Sequence, residues 1–145
     1  MNATITLQQG MHFTASADGS PIVNLDSSPN AGGTGLGPTP MQFMLFSLGG
    51  CTAMDVLSIL RKKRQNVTGF EVRVSGERAT EHPKVFTHIT IEFVVRGVDI
   101  NPAAVERAIQ LSSDIYCSAQ AMVKQTAIIR TIYTIVPEPD VAVPI

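Results

Sequence analysis

The sequence predicts an α+β fold, formed as a single domain spanning residues 1-145. Three observations lead to this prediction: short alternating strands open the chain, one long apolar helix follows them, and two long strands precede the remaining helices. The predicted order is β-β-β-α-β-β-α-α-β, in which helices interrupt runs of strands without regular βαβ alternation. A chain of 145 residues is long enough for one domain with one core.

The composition is poor in charge, and this limits the partners. The chain is 44% hydrophobic and 16% charged, whereas about 25% charged residues are usual. A monomer with so little charge would expose much apolar surface, so we expect a homo-oligomer. A net charge of −1 and a pI near 6.3 predict no nucleic acid and no membrane as partner. The N-terminus lacks the pattern of a secretory signal, so we expect a cytoplasmic location.

Residues 1-38 predict an N-terminal meander followed by a Gly-rich loop. Alternating apolar residues predict strands over 3–9, 11–17 and 21–26, separated by turns that contain glycine. The Gly, Pro and Ser residues of 27–38 predict a loop, and loops of this length are either functional or simply flexible linkers.

A central helix is predicted over 39-64. Thr39 is a favourable N-cap, Pro40 suits the first helical position, and Gln42 completes a capping box with Thr39. The body is apolar on nearly every face, which predicts burial on every side. Asp55 and a Gly pair interrupt the apolar run, and four basic residues end it, so we do not predict a membrane span.

The second half of the chain predicts a hairpin over 67-98 and then helices and a closing strand over 101-136. Within the last region a helix is expected over 102–115, followed by a short helix that ends near 124 and a strand over 127–136. The run Tyr116-Cys117-Ser118 either interrupts the first of these helices or opens the second. The Pro- and Val-rich tail that follows is expected to be loose.

The two cysteines are the strongest candidates for chemistry. Two are too few for a secreted disulfide scaffold, so in the cytosol they are either inert core residues or redox-active. Cys51 follows Gly49-Gly50 in mid-helix, where glycine indicates a close approach of another helix, a second copy or a substrate. Asp55 lies one helical turn after Cys51, where a carboxylate raises the pKa of a thiol.

No metal site is predicted. The histidines and the cysteines do not have the sequence spacing of zinc ligands, so we do not expect bound zinc. No cofactor is expected either. The histidines are His12, His82 and His88.

Three segments resemble the OsmC/Ohr superfamily, and most closely its YhfA-like branch. The segment GPTPMQFMLFSLGGCTAMDVLSILRKKRQNV is similar to the central helix of these proteins, with a Pro-led start and a small-small-Cys step. The segment VSGERATEHPKVFTHITIEFVVRG resembles their hairpin, and VERAIQLSSDIYCSAQAM resembles their second cysteine element. The segments occur in the order that the family has.

The resemblance implies a fold and an activity. It implies an intertwined homodimer, with long central Cys-bearing helices packed against antiparallel sheets. It also implies reduction of organic hydroperoxides in oxidative-stress defence. Cys51 would attack the peroxide, Cys117 would resolve the resulting sulfenic acid as a disulfide, and an external dithiol would reduce that disulfide.

The chain departs from the peroxidase pattern at the groups that support the thiolate. Members of the family place an Arg in an N-terminal strand or loop, whereas no Lys or Arg precedes Arg61 here. They place a Glu where this chain has Met41, and the neighbouring Gln42 is polar but uncharged. Among Arg73, Arg78, Lys84 and Arg107 we favour Arg78 as a replacement cation, with a surface salt bridge on the hairpin as its alternative role.

Three functional hypotheses follow from these residues. The first is a thiol-dependent peroxidase that uses Cys51 and Cys117. The second is a non-catalytic dimer that binds a small apolar ligand at its interface. The third is a packed dimer with inert cysteines.

Overall fold

The computed structural model describes residues 1–139, so most of the predicted loose tail lies outside the described residues. The chain forms two compact units, Met1–Met44 and the part that begins at Leu45. The elements follow the order predicted from the sequence, three strands, a helix, two strands, two helices and a strand. The fold class is therefore α+β, as predicted.

The first unit contains an antiparallel sheet of three strands. Its strands are β1 (Ala3–Gln9), β2 (His12–Ala17) and β3 (Val23–Leu25) in the order β1-β2-β3. Gly10 turns the chain between β1 and β2 with a φ of 58°, a conformation that favours glycine. β3 is shorter than predicted at both ends, and at its C-terminal end Asp26 leaves the sheet and bonds the following loop.

One buried carboxylate organises the Gly-rich loop. Asp26 accepts hydrogen bonds from the backbone amides of Ser27 (2.7 Å), Thr34 (2.9 Å) and Leu36 (3.1 Å), and from the Thr34 hydroxyl (2.9 Å). These bonds, led by the one from the Thr34 amide, hold the pKa of Asp26 well below its usual range. The loop is thus a structured element and not a flexible linker.

Helix α1 (Pro40–Lys62) begins with the predicted capping box. The Thr39 amide donates to Gln42 Oε1 at 2.8 Å, and the Gln42 amide donates to Thr39 Oγ1 at 3.4 Å. Gln42 therefore caps the helix. The helix ends two residues earlier than predicted, and Arg64 then adopts a left-handed φ of 56°.

Only one stripe of α1 is buried within a single chain. Its buried residues repeat mostly at intervals of four, and the opposite side exposes Met54 to 75%. The prediction of burial on every side is therefore wrong for one chain, because one chain covers the helix from one side only. The buried residues are Leu48, Gly49, Thr52, Val56 and Leu60.

The second unit contains a mixed sheet in the order β4-β5-β6. Strands β4 (Asn66–Arg78) and β5 (Phe86–Val98) are antiparallel, whereas β6 (Ile128–Pro137) lies parallel to β5. The parallel pair follows from the crossover connection through the helices, which returns the chain in the same direction. The central strand β5 supplies much of the core with Ile89, Ile91, Phe93 and Val95.

Gly49 allows α1 to lie close against β4. A Cβ atom at Gly49 would lie 2.8 Å from Cγ2 of Val74 and 4.0 Å from Cγ1 of Val72, and the first distance is shorter than any ordinary contact. A Cβ atom at Gly50 would meet nothing within 4 Å. Gly49 therefore lies against the chain's own sheet, whereas the sequence suggested another helix, a second copy or a substrate as the partner of this glycine pair.

This contact can be tested by a double-mutant cycle in urea unfolding. Gly49→Ala removes a helix penalty of about 1 kcal/mol, but the new methyl group overpacks at a cost of about 1–3 kcal/mol. We expect Val74→Ala to remove the overpacking, so that the pair shows a favourable coupling of about 1–3 kcal/mol. Val72→Ala is the matched control, and an equal coupling to Val72→Ala would contradict the contact.

Candidate active site

The two cysteine side chains lie together, although they are far apart in sequence. Each ligand atom in the group formed by the Cys51 sulfur, the Cys117 sulfur and a carboxylate oxygen of Asp55 lies within 4.8 Å of the other two. Both cysteines are free thiols, Cys51 half-buried on α1 and Cys117 only 2% exposed. The structure therefore brings together the two residues that the sequence singled out.

A change of helix type positions Cys117. Helix α2 (Pro102–Leu111) continues as a π-helical segment, Ser112–Tyr116, before helix α3 (Ser118–Val123) begins. Cys117 lies between them in an extended conformation and caps α3, since its sulfur accepts a bond from the Gln120 amide at 3.4 Å. The predicted interruption at Tyr116-Cys117-Ser118 is confirmed, and the helix predicted over 102–115 keeps α geometry only to Leu111.

A buried chain of hydrogen bonds connects the elements that carry the two thiols. Gln120 Nε2 donates to Thr52 Oγ1 at 3.1 Å, Thr52 and Ser112 share a hydroxyl bond of 2.9 Å, and Ser112 Oγ donates to Asp55 Oδ2 at 3.1 Å. Because the Ser112 proton is used on Asp55, Thr52 is the donor to Ser112, and every bond points toward the carboxylate. This series of hydrogen bonds fixes Asp55 beside both sulfurs.

Sequence reasoning missed three members of this chain. Thr52, Ser112 and Gln120 are almost fully buried, and buried polar side chains are kept only when they are paired. Thr52 directly follows Cys51, and the other two flank Cys117. The polar residues near both cysteines, within otherwise apolar helical segments, could have indicated a buried hydrogen-bond network.

The surroundings of Cys117 disfavour its thiolate. Burial is the main cause, followed by the Cys51 side chain and the negative charge of Asp55, and together they raise the pKa of Cys117 to about 11 against a small opposing effect of the Gln120 amide. Cys117 is therefore a protonated thiol at neutral pH. Asp55, which the sequence placed beside Cys51, thus also raises the pKa of Cys117.

A cleft of about 350 Å³ leads to the carboxylate of this site. Lys62 and Lys63 belong to the same lining, so the end of α1 brings positive charge to the cleft that contains Asp55. The sequence showed these lysines only as part of the four basic residues that end the apolar run. The lining residues are Asp55, Ser58, Ile59, Lys62, Lys63, Leu111 and Tyr116.

The other candidate residues are engaged elsewhere. Arg78 is exposed at the end of β4, where its Nε donates to the backbone oxygen of Lys84 at 2.6 Å. Arg73 pairs with Glu71 at 2.7 Å and with Glu92 at 3.4 Å. Gln42 caps α1, as described above. Among the described residues, Arg78 thus holds the hairpin through a backbone bond and not through a surface salt bridge.

Comparison with known proteins relates the sequence and the fold to the same family. The family described as OsmC-like protein matches residues 33–131. Protein YhfA of Escherichia coli K12 is 38% identical over 136 residues, which cover 94% of this chain and 98% of that protein. A hypothetical protein from Aquifex aeolicus has a crystal structure with a TM-score of 0.84 at 29% identity, covering 95% of this chain and 97% of that one.

A more distant structure shares the fold. The organic hydroperoxide resistance protein OhrB of Bacillus subtilis matches with a TM-score of 0.60 at 18% identity, covering 92% of this chain and 98% of that one. At this identity the likeness concerns the fold alone.

The protonation of Cys117 can be tested by alkylation followed by peptide mass spectrometry in metal-free buffer. In unfolded protein the rate should level off near the ordinary thiol pKa of about 8.5. In folded protein we expect the Cys117 rate to keep rising roughly tenfold per pH unit beyond that point, because the thiolate fraction still increases below a pKa of about 11. A plateau near the ordinary value in folded protein would contradict the raised pKa.

Proposed function

The chain belongs to the OsmC-like protein family, and on that premise we propose that it is a thiol-dependent peroxidase that reduces organic hydroperoxides in oxidative-stress defence. The observation that carries the proposal is the position of the two free thiols, whose sulfurs lie within 4.8 Å of each other on separate elements of one unit. This separation suits a pair that alternates between two thiols and one disulfide.

Cys51 is the attacking thiol in this proposal. It is more exposed than Cys117, so a peroxide reaches it first. Its thiolate attacks the terminal oxygen of the hydroperoxide and the O–O bond breaks. The alkoxide leaves and takes up a proton to become an alcohol, and Cys51 becomes a sulfenic acid.

Cys117 is the resolving thiol. Its sulfur attacks the sulfenic sulfur of Cys51, the S–S bond forms, and the hydroxyl group leaves as water with the thiol proton. Closing the bond requires the two sulfurs to move from within 4.8 Å to about 2.05 Å. An external dithiol then reduces the disulfide by exchange and is itself oxidised to a disulfide.

The substrate class is supported by the named relatives. The distant structural neighbour from Bacillus subtilis carries the name organic hydroperoxide resistance protein. The half-buried position of Cys51 also suits a small organic peroxide better than a large substrate.

Activation of Cys51 needs a positive charge, because the thiolate is the reactive form. Lys62 and Lys63 line a cleft with Asp55, the neighbour of the Cys51 sulfur, and could act on Cys51 only at long range. Arg78, which the sequence favours, would have to act on Cys51 of a second copy.

A homodimer is part of the proposal. The second unit exposes large apolar side chains, including Met54 (75%), Ile115 (66%) and Met122 (69%), and α1 leaves Gly50 open to close approach. Exposed apolar surface of this kind usually marks an interface. A second copy that packs on this side of α1 would also cover the helix on the face that one chain leaves bare.

A cytoplasmic location completes the proposal. Helix α1 has the length and hydropathy of a membrane span, but it is the core helix of a soluble family fold. Two free thiols suit a reducing compartment.

The proposal is tested by peroxide consumption with an added dithiol. We expect the wild type to turn over cumene hydroperoxide faster than hydrogen peroxide, and Cys51→Ser to lose turnover completely. In a parallel reaction without the dithiol, Cys117→Ser should consume about one equivalent of peroxide and keep a Cys51 sulfenic acid that dimedone traps, whereas the wild type should form the disulfide, because the variant has no second thiol in the chain. Sedimentation of the same samples reports whether the wild type is a dimer.

Arg78→Gln and Lys62→Gln each remove one positive charge, and together they test which cation stabilises the Cys51 thiolate. The variant that lowers the rate of peroxide attack identifies the cation that supports the Cys51 thiolate. Absence of turnover by the wild type with either peroxide would overturn the peroxidase, and turnover that survives Cys51→Ser would overturn the assignment of the nucleophile.

A further inference from the structure

The thiol pair and Asp55 form a cluster whose donor atoms are those that bind soft divalent cations. Two sulfurs and one carboxylate oxygen lie within 4.8 Å of one another. A zinc ion in a tetrahedral site has bonds of about 2.3 Å to sulfur and about 2.0–2.2 Å to a carboxylate oxygen. These bond lengths place sulfurs and oxygen about 3.5–3.8 Å apart, so the three side chains need to close by only about 1 Å.

Asp55 is held as a ligand would be held. Ser112 donates to Oδ2 at 3.1 Å, at the end of the buried hydrogen-bond chain through Thr52 and Gln120. Bonds of this kind orient ligating carboxylates in metal sites. The chain therefore fixes the side chain next to the two sulfurs without neutralising its charge.

The charge of Asp55 also lacks a counter-ion. In residues 1–139 no Lys, Arg or His forms an ion pair with Asp55, and no protein donor bonds its second oxygen, Oδ1. A half-buried carboxylate without a paired charge is unfavourable unless a cation joins it. The free oxygen and both sulfurs are thus available to one ion.

We propose that the reduced protein binds one Zn²⁺ ion through Cys51, Cys117 and Asp55, with the fourth position left to water or a small ligand. Thiolate sulfur favours zinc over the hard cations magnesium and calcium. On binding, each thiol releases its proton to solvent, and the two thiolates and the carboxylate supply three negative charges to the ion. The cleft that reaches Asp55 provides a path of entry.

This site differs from the expectation drawn from the sequence. That expectation considered histidines as the co-ligands of the cysteines, and the histidines do not join the cluster. The missed ligand is Asp55, which lies one helical turn from Cys51 and within reach of Cys117, the residue that follows the π-helical segment.

Zinc would place the thiol pair in a protected state. A sulfur bound to zinc is less available to peroxide, and a disulfide between Cys51 and Cys117 leaves no thiolate for zinc. The bound and the oxidised states therefore exclude each other. The inference uses the same two sulfurs as the proposed peroxidase but does not require that activity.

The test is a titration of the reduced protein with Zn²⁺ in competition with a chromophoric chelator, and a parallel titration with Co²⁺. Cobalt bound to thiolates shows a charge-transfer absorption, and the strength of its visible bands reports tetrahedral coordination. We expect one ion per chain. We expect Cys51→Ser and Cys117→Ser each to weaken the charge-transfer band, and Asp55→Asn to lower the affinity by roughly tenfold or more.

Asp114→Asn is the matched control. Asp114 is an exposed carboxylate on the segment that precedes Cys117, it is not part of the cluster, and its loss should leave the affinity unchanged. Failure of the wild type to compete with the chelator would overturn the site. Full affinity in either cysteine variant, or equal affinity in Asp55→Asn and Asp114→Asn, would also overturn it. Zinc binding by a protein that reduces no hydroperoxide would leave the site standing and remove only the peroxidase.

Discussion

The buried hydrogen bonds from Gln120 through Thr52 and Ser112 to Asp55 hold the central helix against the segment that carries the second cysteine. Thr52, Ser112 and Gln120 are removed from water and bond one another, so breaking one of these bonds leaves an unpaired buried group that costs about 1–3 kcal/mol. The arrangement of the site depends on this constraint. The two sulfurs and the carboxylate meet because the elements on either side of them cannot shift independently.

The same constraint gives the two thiols different exposure and different surroundings. Cys117 is buried beside a fixed negative charge and stays protonated at neutral pH, whereas Cys51 lies on the half-exposed part of the helix. A pair of this kind suits sequential roles, in which the accessible sulfur reacts first and the buried sulfur follows. It equally suits a soft cation, which would offset the negative charge that the fold places there. Both proposals therefore rest on the proximity of the two sulfurs, to which the metal site adds the Asp55 carboxylate.

Sequence reasoning reached the fold class, the capping box at Thr39 and Gln42, and both cysteines, because local patterns and a family resemblance determine these features. It did not reach the hydrogen-bond chain, since Thr52 and Ser112 meet only after residues distant in sequence have packed together. Nor did it predict the π-helical segment, because a five-residue segment is too short to show a change in the spacing of its apolar residues. The burial of α1 within one chain was overestimated. The apolar residues of a helix show how much of its surface has to be buried, but they do not show whether one chain or two chains bury it.

The central claim is that Cys51 and Cys117 of one chain act as a pair. The most direct measurement is to treat metal-free reduced protein with one equivalent of cumene hydroperoxide, block the remaining thiols, and map the linked peptides by non-reducing mass spectrometry. Mixing chains labelled with heavy and light nitrogen distinguishes links within a chain from links between chains. The account predicts a Cys51–Cys117 peptide that carries a single isotope label throughout. Peptides of mixed label, or over-oxidised Cys51 beside an untouched Cys117, would contradict it.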